Sequence, residues 1–556
     1  MDRKTLSGHL GRLLSIRPNS KAREIAAILT DEFGQHIDRS AVNSVLYEMK
    51  ARGQAKVSAD HRWSAVGSVA APHPQVPDFA FTDEQQAVVN IDASGHILVR
   101  GQAGSGKTTV LAARAGRILS AMNYGSLLFV TYNAALCAYV KNTFRKAGMD
   151  GNIEVCTFHD WARNAAEQIS GEKRRWVDSR ERAEILCRLI KEAAQESGEH
   201  RLYQIDTDDR LLPWWGEEIA WLYGQNIATL GAYQEAERIG RGTALRVPKE
   251  DRTAVWRVFE AWCEWLEENE AEDYDNPGGL VLDAISRAGG SLPDNLRRDH
   301  VMVDEVQDFD RSWLIALAQV PRVSMSLAGD LAQKIYKRSF TWSSVGIEVR
   351  GGRSRRLSYS HRTTREIMEV AKLLINSSMI TSDPDWTPPI LPTKSGPPVR
   401  RILGRNPKEA YDLGYDFVSK NFKRLRAKSV AVAVPFSRQT YPAAKALEAR
   451  DVRAKAARGH TLGSSSSGVV VTTYHQLKGL EFDHVVLLGL HDAQFPGRYL
   501  ANVPEEDVDE EQQILARLIY VAMTRAKESV TLVGSEPFCR FFVAAPKHLF
   551  SSEMTL

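Results

Sequence analysis

Cysteines are few in this chain of 556 residues, and none of them stand at a spacing that binds zinc. The five cysteines are scattered without a C-x-x-C pair, which argues against a disulfide framework and against a zinc site. No apolar stretch approaches the length of a membrane span, and the polar N-terminus lacks the apolar core of a signal peptide. These absences predict a soluble, cytoplasmic protein whose cysteines are buried thiols.

A strong charge of one sign is also missing. The formal net charge is only +3, although charged residues make up 25% of the chain. There is therefore no global basic field of the kind that attracts nucleic acid, and any nucleic-acid surface has to be a local groove. The length leaves room for about three or four domains with ample core, so the sequence predicts a multi-domain protein.

A complete phosphate-binding loop follows an apolar run at residues 97–99 and precedes an Ala- and Leu-rich stretch, a context that predicts strand, loop and helix. Lys107 is expected to reach the β- and γ-phosphates, and the Thr108 hydroxyl to hold Mg²⁺. The glycines let backbone N–H groups surround the phosphates at the N-terminus of the helix. The loop predicts binding of a nucleoside triphosphate but does not choose between kinase, GTPase and motor. It matches G-x-x-x-x-G-K-[ST] over Gly101-Gln102-Ala103-Gly104-Ser105-Gly106-Lys107-Thr108.

An acidic motif, Asp304-Glu305-Val306-Gln307-Asp308, follows the apolar residues 301–303. Two carboxylates at the end of a buried strand, downstream of a phosphate loop, have a specific use in phosphoryl transfer. Asp304 can hold the Mg²⁺ that bridges the phosphates, and Glu305 can orient the attacking water or accept its proton. A solvated turn would not explain two carboxylates at the end of so apolar a strand, so the motif predicts a catalytic site.

Residues 1–65 form a small unit that a proline-bearing linker, residues 66–80, separates from the rest. Two stripes of apolar residues at helical spacing predict two helices, with Gly34 ending the first and Asp38 capping the second. A short strand at 55–57 and the pair Arg62-Trp63 follow, so the unit resembles a winged helix. The stripes comprise Ile25, Ile28, Leu29 and Phe33, and then Val42, Val45, Leu46 and Met49.

The N-terminal unit carries 11 Lys or Arg against 7 Asp or Glu, and its second helix has a polar face suited to a DNA groove. Winged helices also serve as protein-docking domains, so this alternative stays open. The polar face presents Arg39, Asn43, Tyr47 and Lys50.

From Phe81 onward, short apolar runs alternate with helical patterns, which predicts an α/β fold with parallel sheets. Residues 161–295 break the alternation with a long helical segment that holds eight of the chain's twelve tryptophans. At helical spacing these rings are expected to form a core rather than to stack on bases. The predicted strands comprise residues 97–99, 127–130, 301–303, 430–434, 469–471, 485–488 and 530–533.

Six further segments, in their order along the chain, resemble the motifs of superfamily 1 helicases of the UvrD/Rep type. The resemblance extends from Phe81 to about Phe542 and implies two RecA-like motor domains. The first would comprise residues 81–160 and 296–345 with the helical insertion 161–295, and the second residues 346–556. The six segments are Phe81-Thr82-Asp83-Glu84-Gln85, Thr131-Tyr132-Asn133, Thr157-Phe158-His159, the segment from Gly329 to Tyr336, the segment from Thr473 to Phe482, and the segment from Tyr520 to Ala526.

The resemblance implies a role in ATP binding or hydrolysis for residues of both motor domains. Gln85 would pair with adenine, Gln333 would face the γ-phosphate, and Glu481 would meet the ribose. Arg362 and Arg525 would stabilise the departing γ-phosphate as arginine fingers. The family usually has N-Y-R where this chain has Ser360-His361-Arg362, so His361 would stack on the adenine. The phosphate-binding set comprises Gly101, Gly104, Ser105, Gly106, Lys107, Thr108 and Thr109.

The same resemblance implies a set of contacts to single-stranded DNA. The tryptophan-arginine pair of the family is absent after Tyr336, where Lys337 and Arg338 stand instead, so the grip on the bases is expected to differ in detail. The implied contacts are Thr131, Tyr132, Asn133, Thr157, His159, Tyr336, Thr473 and His475.

These observations predict a Mg²⁺-dependent ATPase that single-stranded DNA stimulates, and the resemblance implies that it moves 3′ to 5′. The stretch between Arg362 and Thr473 is too short for the large second insertion of many relatives, and no acidic nuclease cluster stands outside the motor. The main alternative is therefore an ATP-driven switch or motor subunit of a DNA-repair or phage-defence complex with a separate nuclease. A transcription regulator is a third possibility, in which the ATPase motifs would be idle.

Overall fold

The computed structural model of the chain consists of two compact units. One comprises residues 1–78 with 116–125 and 147–149, and the other comprises residues 79–115, 126–146 and 150–556. The structure describes residues 6, 10, 14, 20–33, 37–53, 55–58, 60–65, 81–102, 104–121, 126–132, 134–146, 153–207, 211–238, 245, 247–330, 340–349, 352–359, 362–375, 390–425, 428–456, 468–478, 480–501, 503, 505 and 508–552. Among the helices of these residues, none combines the length and the apolar character that a membrane crossing requires.

The N-terminal unit contains the two predicted helices, Ala22–Phe33 and Arg39–Ala51. Three short strands form an antiparallel sheet in the order Ser20–Lys21, Arg62–Ala65, Ala55–Val57. The described helices and strands are compatible with the winged helix that the sequence predicts, and that fold stays a prediction. Asp38 occupies the N-cap position as predicted, although its carboxylate accepts from the Ser40 hydroxyl and not from the first turn of the backbone. The core comprises Leu6, Leu10, Leu14, Ala22, Ile25, Ala26, Leu29, Val42, Val45, Leu46, Met49, Ala55 and Trp63. Gly34 and the side chain of Phe33 lie outside the described residues.

A six-stranded parallel sheet forms the centre of the first RecA-like domain. Helices connect its strands from Ile97–Gly101 to Pro321–Gly329, as crossovers between parallel strands usually do, and cover apolar faces such as those of Leu128 and Val301. In spatial order the strands are Ser354–Leu357, Ile97–Gly101, Pro321–Gly329, Arg298–Val303, Leu127–Thr131 and Ile153–Thr157. The helices of this domain are Asp83–Asn90, Lys107–Ala121, Ala134–Lys146, Phe158–Ser170, Pro277–Arg287 and Arg311–Ala318.

The first sheet extends beyond the boundary that the sequence predicts. The strand Ser354–Leu357 pairs with Ile97–Gly101, although the sequence placed the start of the second domain at residue 346. The strand has the sequence S-R-R-L, which lacks an apolar run, so the pattern gave no signal for it. The last strand of the first sheet therefore lies beyond residue 346, where the sequence placed the start of the second domain.

The helical insertion is shorter than residues 161–295. The helices Phe158–Ser170 and Pro277–Arg287 pack into the core of the first RecA-like domain through residues such as Trp161 and Ile285. The insertion proper contains the helices Ser179–Ser197, Leu211–Gln225, Leu230–Glu235 and Arg252–Glu268, and a parallel strand pair, Arg175–Val177 with Ala271–Asp273. The expectation that the tryptophans form a core is confirmed, because six of the eight are buried: Trp161, Trp214, Trp215, Trp221, Trp256 and Trp262.

The carboxyl group of Glu272, in the insertion, is expected to make the free energy of unfolding depend on pH. The Glu272 side chain is 16% exposed, and burial raises its pKa to about 7 despite the nearby Arg174. A carboxyl group whose pKa is higher in the folded state than in the unfolded state destabilises the folded state at high pH. Here the destabilisation sets in as the pH rises from the pKa of the unfolded chain, about 4.5, through the folded pKa of about 7. Glu272→Gln should therefore raise the free energy of unfolding at pH 8 by roughly 2–3 kcal/mol and leave it nearly unchanged at pH 5.

Unfolding monitored by tryptophan fluorescence at the two pH values tests this prediction, because the insertion holds most of the tryptophans. Glu196→Gln, at an exposed position of the helix Ser179–Ser197, is the matched control. An equal effect of Glu272→Gln at pH 5 and pH 8 would contradict the prediction.

A seven-stranded parallel sheet forms the second RecA-like domain. Apolar residues cover both of its faces, for example Val485 on one and Val432 on the other. In spatial order the strands are Ala454–Ala456, Gly468–Thr473, Ser429–Val434, Phe482–Leu488, Ala526–Ser535, Val399–Gly404 and Phe550–Ser551. The helices are Arg365–Leu373, Pro407–Leu425, Thr440–Glu448, Gly497–Leu500 and Val508–Met523. The sequence predicted four of the seven strands, and it missed Val399–Gly404, Ala454–Ala456 and Phe550–Ser551.

Candidate active site and nucleic-acid interface

The phosphate loop connects the strand Ile97–Gly101 to the helix Lys107–Ala121, as the sequence predicts. Gly104 and Gly106 have φ values of +74° and +80°, in the left-handed region that glycine enters without strain. A Cβ atom at Gly106 would lie 2.7 Å from Nε2 of Gln85. The loop can therefore take this shape only with glycine at position 106.

The polar groups of the loop suit a phosphate ligand. The Lys107 ammonium is buried and donates to the carbonyl oxygens of Gly101, at 3.0 Å, and Gln102, at 3.3 Å. The Ser105 hydroxyl is buried and has no hydrogen-bond partner among the described residues. A buried hydroxyl of this kind gains from a phosphate oxygen as its partner. Together with the buried lysine, it fits the phosphates of ATP.

Asp304 directly follows the strand Arg298–Val303 and is fully buried beside the phosphate loop. The Thr108 hydroxyl donates to the Asp304 carboxylate. Burial, together with the neighbouring charge of Glu305, raises the pKa of Asp304 above its usual value. Carboxylate and hydroxyl oxygens are the ligands that Mg²⁺ prefers, so Thr108 and Asp304 fit the metal as the sequence predicts.

Glu305 directly follows Asp304 and has its backbone in the left-handed region, with a φ of +54°. A non-glycine residue there costs about 1–3 kcal/mol, and such strained residues cluster at active sites and ligand-binding sites. Burial alone would raise the pKa of Glu305, but the charge of Lys107 and a hydrogen bond from Gln307 lower it. The charges of Arg525 and Arg362 act in the same direction, so the pKa stays below its usual value and the group is ionised.

The second RecA-like domain contributes two arginines to the surroundings of Glu305. Arg525 follows the helix Val508–Met523 and is buried, which lowers its pKa, whereas the charge of Glu305 raises it. Its Nε atom donates to the Val521 carbonyl at 3.1 Å. Arg362 forms an ion pair with Glu481. The structure therefore places both predicted arginine fingers within electrostatic reach of the predicted catalytic carboxylate.

Glu481 lies between two cationic groups, Arg362 and the Lys527 ammonium, the latter at 3.1 Å. Burial would raise the pKa of Glu481, but these two cations outweigh it and hold the pKa below its usual value. The contact between Glu481 and a ribose, which the resemblance implies, stays a prediction. Gln333 and His361 lie outside the described residues.

Gln85 lies beneath the phosphate loop, where both ends of its amide are used. The amide oxygen accepts from the Thr82 N–H at 3.0 Å, and the amide nitrogen donates to the Ser105 carbonyl at 2.9 Å. The first contact belongs to a capping box that begins the helix Asp83–Asn90. Gln85 thus supports the loop from below, and its predicted pairing with adenine stays untested.

Two contacts between the RecA-like domains were not predicted from the sequence. The Gln102 amide donates to the Ile390 carbonyl oxygen, in the second domain, at 3.0 Å, and also to the carbonyl oxygen of Ser358, which follows the last strand of the first sheet, at 2.9 Å. Lys478 forms an ion pair with Asp308, whose pKa burial raises and Lys478 lowers. One partner of each contact belongs to a motif: Gln102 to the phosphate loop and Asp308 to the acidic motif. The motifs themselves were the available signal, but they did not reveal the partners.

An aromatic strip lies at the carboxyl edge of the first sheet, where ligands of parallel sheets commonly bind. Tyr132 stacks on Trp313 with ring centroids 5.9 Å apart, and Phe158 stacks on the same indole at 4.5 Å. His159 meets the Trp313 edge at 5.0 Å and stacks on Tyr274 at 4.4 Å. Tyr132 and Tyr274 are 44% and 48% exposed, whereas Trp313 and Phe158 are buried. The strip therefore presents tyrosine rings to a ligand from a rigid base.

The two threonines of the first RecA-like domain that are predicted to contact DNA are used within the protein or buried. The Thr157 hydroxyl accepts from the Asp160 N–H at 3.2 Å and donates to the Asp160 carboxylate at 2.8 Å, which caps the helix Phe158–Ser170. Thr131 is fully buried at the end of its strand. A DNA contact of either residue stays a prediction. Asn133 and Tyr336 lie outside the described residues.

The second RecA-like domain carries an aromatic and cationic platform beside the segment with Thr473 and His475. Phe436 stacks on Tyr499 with centroids 5.1 Å apart, and the His475 ring lies 6.2 Å from Tyr499. The guanidinium groups of Arg438 and Arg498 lie over the Phe436 ring, at 5.3 Å and 5.7 Å from its centroid. Thr473 is buried and its hydroxyl accepts from the Gln476 N–H at 3.3 Å.

Two stretches of the chain match helicase domain families. Residues 81–340 match the UvrD/REP helicase N-terminal domain. Residues 446–536 match the UvrD-like helicase C-terminal domain. The two matches together cover more than half of the chain and fall on the two RecA-like domains in order. The chain belongs to the UvrD/Rep helicase family.

Individual relatives match over short stretches. The chain is similar to the ATP-dependent DNA helicase PcrA of Staphylococcus aureus strain Mu50, with 41% identity over 64 residues, which are 12% of this chain and 8% of that protein. PcrA of Staphylococcus epidermidis strain RP62A is 39% identical over 71 residues, 13% of this chain and 9% of that protein. The chain thus spans less than a tenth of the length of these relatives. A solved C-terminal domain of a possible DNA helicase from Lactobacillus strain WCFS1 is 19% identical over 35% of this chain and 98% of that chain, with a TM-score of 0.25.

Membership of the UvrD/Rep family agrees with the order of the motifs in the sequence. The structure brings the phosphate loop, the acidic motif and the two arginines together, which is the arrangement that the family resemblance implies. Trp313, Tyr274, Phe436 and Tyr499 were missed, because none belongs to the six segments that carry the resemblance. Their stacked geometry arises from contacts between elements that are distant in sequence.

Proposed function

We propose that the chain is a DNA-dependent ATPase that moves 3′ to 5′ along single-stranded DNA and separates duplex strands. The single observation that carries the proposal is the position of Glu305, which lies beside the phosphate loop and within electrostatic reach of two arginines of the second RecA-like domain. A site assembled from two domains makes hydrolysis depend on how the domains approach each other. That dependence is what a translocating motor requires.

Hydrolysis transfers the γ-phosphoryl group of ATP to water and releases ADP and inorganic phosphate. Lys107 would bind the β- and γ-phosphates, and the ionised Glu305 would orient the attacking water and accept its proton. Arg362 and Arg525 would stabilise the negative charge that develops on the transferred group. Thr108 and Asp304 would hold Mg²⁺, which supplies positive charge to the phosphate oxygens.

Single-stranded DNA would lie along the aromatic strip and the platform, one on each RecA-like domain. Stacking on aromatic rings tolerates any base, and cations beside the rings bind the phosphates, which suits a motor that meets every sequence. In the first domain, Tyr132 and Tyr274 would stack on bases. In the second domain, Phe436 would stack on bases, and Arg438 and Arg498 would bind phosphates. The 3′ to 5′ direction is supported by the family resemblance, and a strand-displacement assay on substrates with 3′ or 5′ single-stranded tails tests it.

Tyr132→Ala is expected to weaken binding of single-stranded DNA by roughly 1–3 kcal/mol, because the ring provides a stacking surface. Tyr132→Phe should bind nearly as the wild type does, since the ring is kept. Equilibrium binding of a labelled oligonucleotide measures the effect. Tyr441→Ala, which removes an exposed tyrosine from the helix Thr440–Glu448, is the matched control. An unchanged dissociation constant for Tyr132→Ala would remove the strip from the DNA path.

The N-terminal unit is proposed to direct the motor to duplex or forked DNA. Arg39 and Lys50 are exposed on the helix Arg39–Ala51, which suits entry into a groove. A chain truncated to begin at Val76 is expected to keep the ATPase activity that single-stranded DNA stimulates, since every ATP-site residue remains. The double variant Arg39→Glu with Lys50→Glu should weaken fork binding and leave that ATPase activity intact.

Arg23→Glu, at an exposed position of the helix Ala22–Phe33, is the control for the charge reversal. Fork binding is measured by titration of a labelled fork with the full chain, the truncated chain and the variants. If neither the truncation nor the reversal changes fork binding, the unit is a protein-docking domain.

A second candidate function is a motor subunit of a repair or anti-phage complex that works with a nuclease or another partner. It is favoured by the compact second domain, where one helix, Pro407–Leu425, leads from the strand Val399–Gly404 to the strand Ser429–Val434. This connection leaves no room for a large second insertion. Strand displacement by the purified chain alone favours the first function, and ATP hydrolysis without displacement favours the second.

A further inference from the structure

Gln307 is the fourth residue of the acidic motif Asp304-Glu305-Val306-Gln307-Asp308. It is 6% exposed, in a short 3₁₀-helix, Val306–Asp308. Its amide nitrogen donates to the Glu305 carboxylate at 2.6 Å. Its amide oxygen accepts from the backbone N–H of Asp330 at 3.0 Å. The side chain therefore bridges the predicted catalytic carboxylate and the end of a neighbouring strand.

The chemistry of the neighbours fixes the orientation of this amide. With nitrogen and oxygen exchanged, the oxygen would face the acceptor Glu305 and the NH₂ group would face the donor N–H of Asp330. Both contacts would then be repulsive. Only one of the two orientations satisfies both neighbours, so the bridge has a defined direction.

The end of the strand Pro321–Gly329 is shaped around the Gln307 side chain. A Cβ atom at Gly329 would lie 2.6 Å from the Gln307 amide oxygen and 2.8 Å from a Val306 methyl group. Contacts this short force a displacement. Position 329 therefore requires glycine if the amide is to stay where it is.

The backbone of Glu305 is held separately from its side chain. The Glu305 N–H donates to the Asp304 carboxylate at 2.9 Å, and the Glu305 carbonyl accepts from the Asp308 N–H at 2.9 Å. These bonds fix the left-handed backbone but leave the side-chain torsions of Glu305 free. Among the described residues, Gln307 restricts the carboxylate itself through a hydrogen bond, and the charges of Lys107, Arg525 and Arg362 act on the same group.

We propose that Gln307 is a positioning residue, which holds the Glu305 carboxylate towards the attacking water and ties its orientation to Asp330. The inference rests on the proposed ATP hydrolysis at this site. Asp330 lies in the segment from Gly329 to Tyr336, which also holds Gln333 and Tyr336, the predicted contacts to the γ-phosphate and to the bases. Gln307 thereby connects the carboxylate to the part of the chain that is expected to sense both ligands.

Three variants test the role. Gln307→Glu keeps an acceptor for the Asp330 N–H but sets a second carboxylate against Glu305, and Gln307→Met removes both hydrogen bonds. Gly329→Ala leaves Gln307 in the sequence and displaces its amide. In each variant the kcat of ATP hydrolysis with single-stranded DNA should fall by about 10- to 100-fold, while the KM for ATP changes by less than about twofold.

The controls separate positioning from general damage. Gln168→Met, at an exposed position of the helix Phe158–Ser170, should match the wild type. Thermal melts and nucleotide binding by each variant show whether the protein is folded and binds ATP. Unfolding of both Gln307→Glu and Gly329→Ala would make Gln307 a structural residue and overturn the proposal.

Wild-type kcat in the Gln307 variants would also overturn the proposal, as would a raised KM with unchanged kcat. The wild-type chain in the same assay distinguishes this inference from the proposed function. Absence of ATP hydrolysis by the wild type removes the proposed function. Hydrolysis by the wild type and equally by Gln307→Glu removes only the positioning role.

Discussion

Glu305→Gln is expected to lower kcat for ATP hydrolysis by about 10²- to 10⁴-fold, the range that a positioned general base contributes. The amide keeps the shape of the side chain but cannot accept a proton from water. ATP binding should persist, because the phosphate contacts come from the loop and from Lys107. Steady-state hydrolysis with saturating single-stranded DNA, together with equilibrium binding of a fluorescent ATP analogue, measures the two quantities.

Lys107→Ala provides the contrast, since it should abolish turnover through loss of phosphate binding. The two variants therefore differ in kind, one retaining bound nucleotide and the other losing it. Glu196→Gln, in the helical insertion, is the control for removal of a glutamate charge at an exposed position. Normal DNA-stimulated hydrolysis by Glu305→Gln would remove the catalytic assignment of Glu305.

Arg525→Ala and Arg362→Ala are expected to lower kcat on the order of 10³-fold or more, with a much smaller change in ATP affinity. Both guanidinium groups lie within electrostatic reach of Glu305, from the opposite RecA-like domain. A charge that stabilises the transferred phosphoryl group acts mainly in the transition state, so its removal affects kcat. Single-turnover hydrolysis and nucleotide binding separate the two effects.

Arg365→Ala is the matched control, because Arg365 is exposed at the start of the helix Arg365–Leu373 in the same domain. It should hydrolyse ATP at the wild-type rate. A change confined to KM in Arg525→Ala or Arg362→Ala would instead make that arginine a ligand of bound ATP, with no special role in the transition state.

The ATP site was predictable because its residues are concentrated in short motifs. Lys107 and Thr108 stand in one loop, and Asp304 and Glu305 are consecutive, so local patterns carried the information. Their mutual arrangement follows from the parallel sheet, since the carboxyl ends of neighbouring strands meet at one edge. The strands Ile97–Gly101 and Arg298–Val303 flank Pro321–Gly329 in that sheet, which brings the two motifs together.

The partners of these residues were not predictable, because they are far away in sequence. The bond from Gln307 to Asp330 and the ion pair from Asp308 to Lys478 depend on which elements become neighbours in the folded chain. The same holds for the stacking of Tyr132 on Trp313. A linear pattern contains no signal for such pairs.

Some strands were missed because arginines make them look polar. The strand Val399–Gly404 contains Arg400, which is buried with its guanidinium 4.9 Å from the centroid of the Phe417 ring. Apolar contact along the stem and a cation–π contact at the head allow this burial. In the strand Ser354–Leu357 two of four residues are arginine, so an apolar run is absent although the strand pairs with Ile97–Gly101.

ATP hydrolysis by the full chain, measured with and without single-stranded DNA, tests the central claim most directly. Duplex DNA and single-stranded RNA of the same length and sequence serve as comparisons. If the two RecA-like domains hydrolyse ATP as a motor on single-stranded DNA, the rate of hydrolysis should rise many-fold when single-stranded DNA is added. At a fixed DNA concentration, this stimulation should fall steeply as the salt concentration is raised. A rate that is the same with and without DNA would contradict the account.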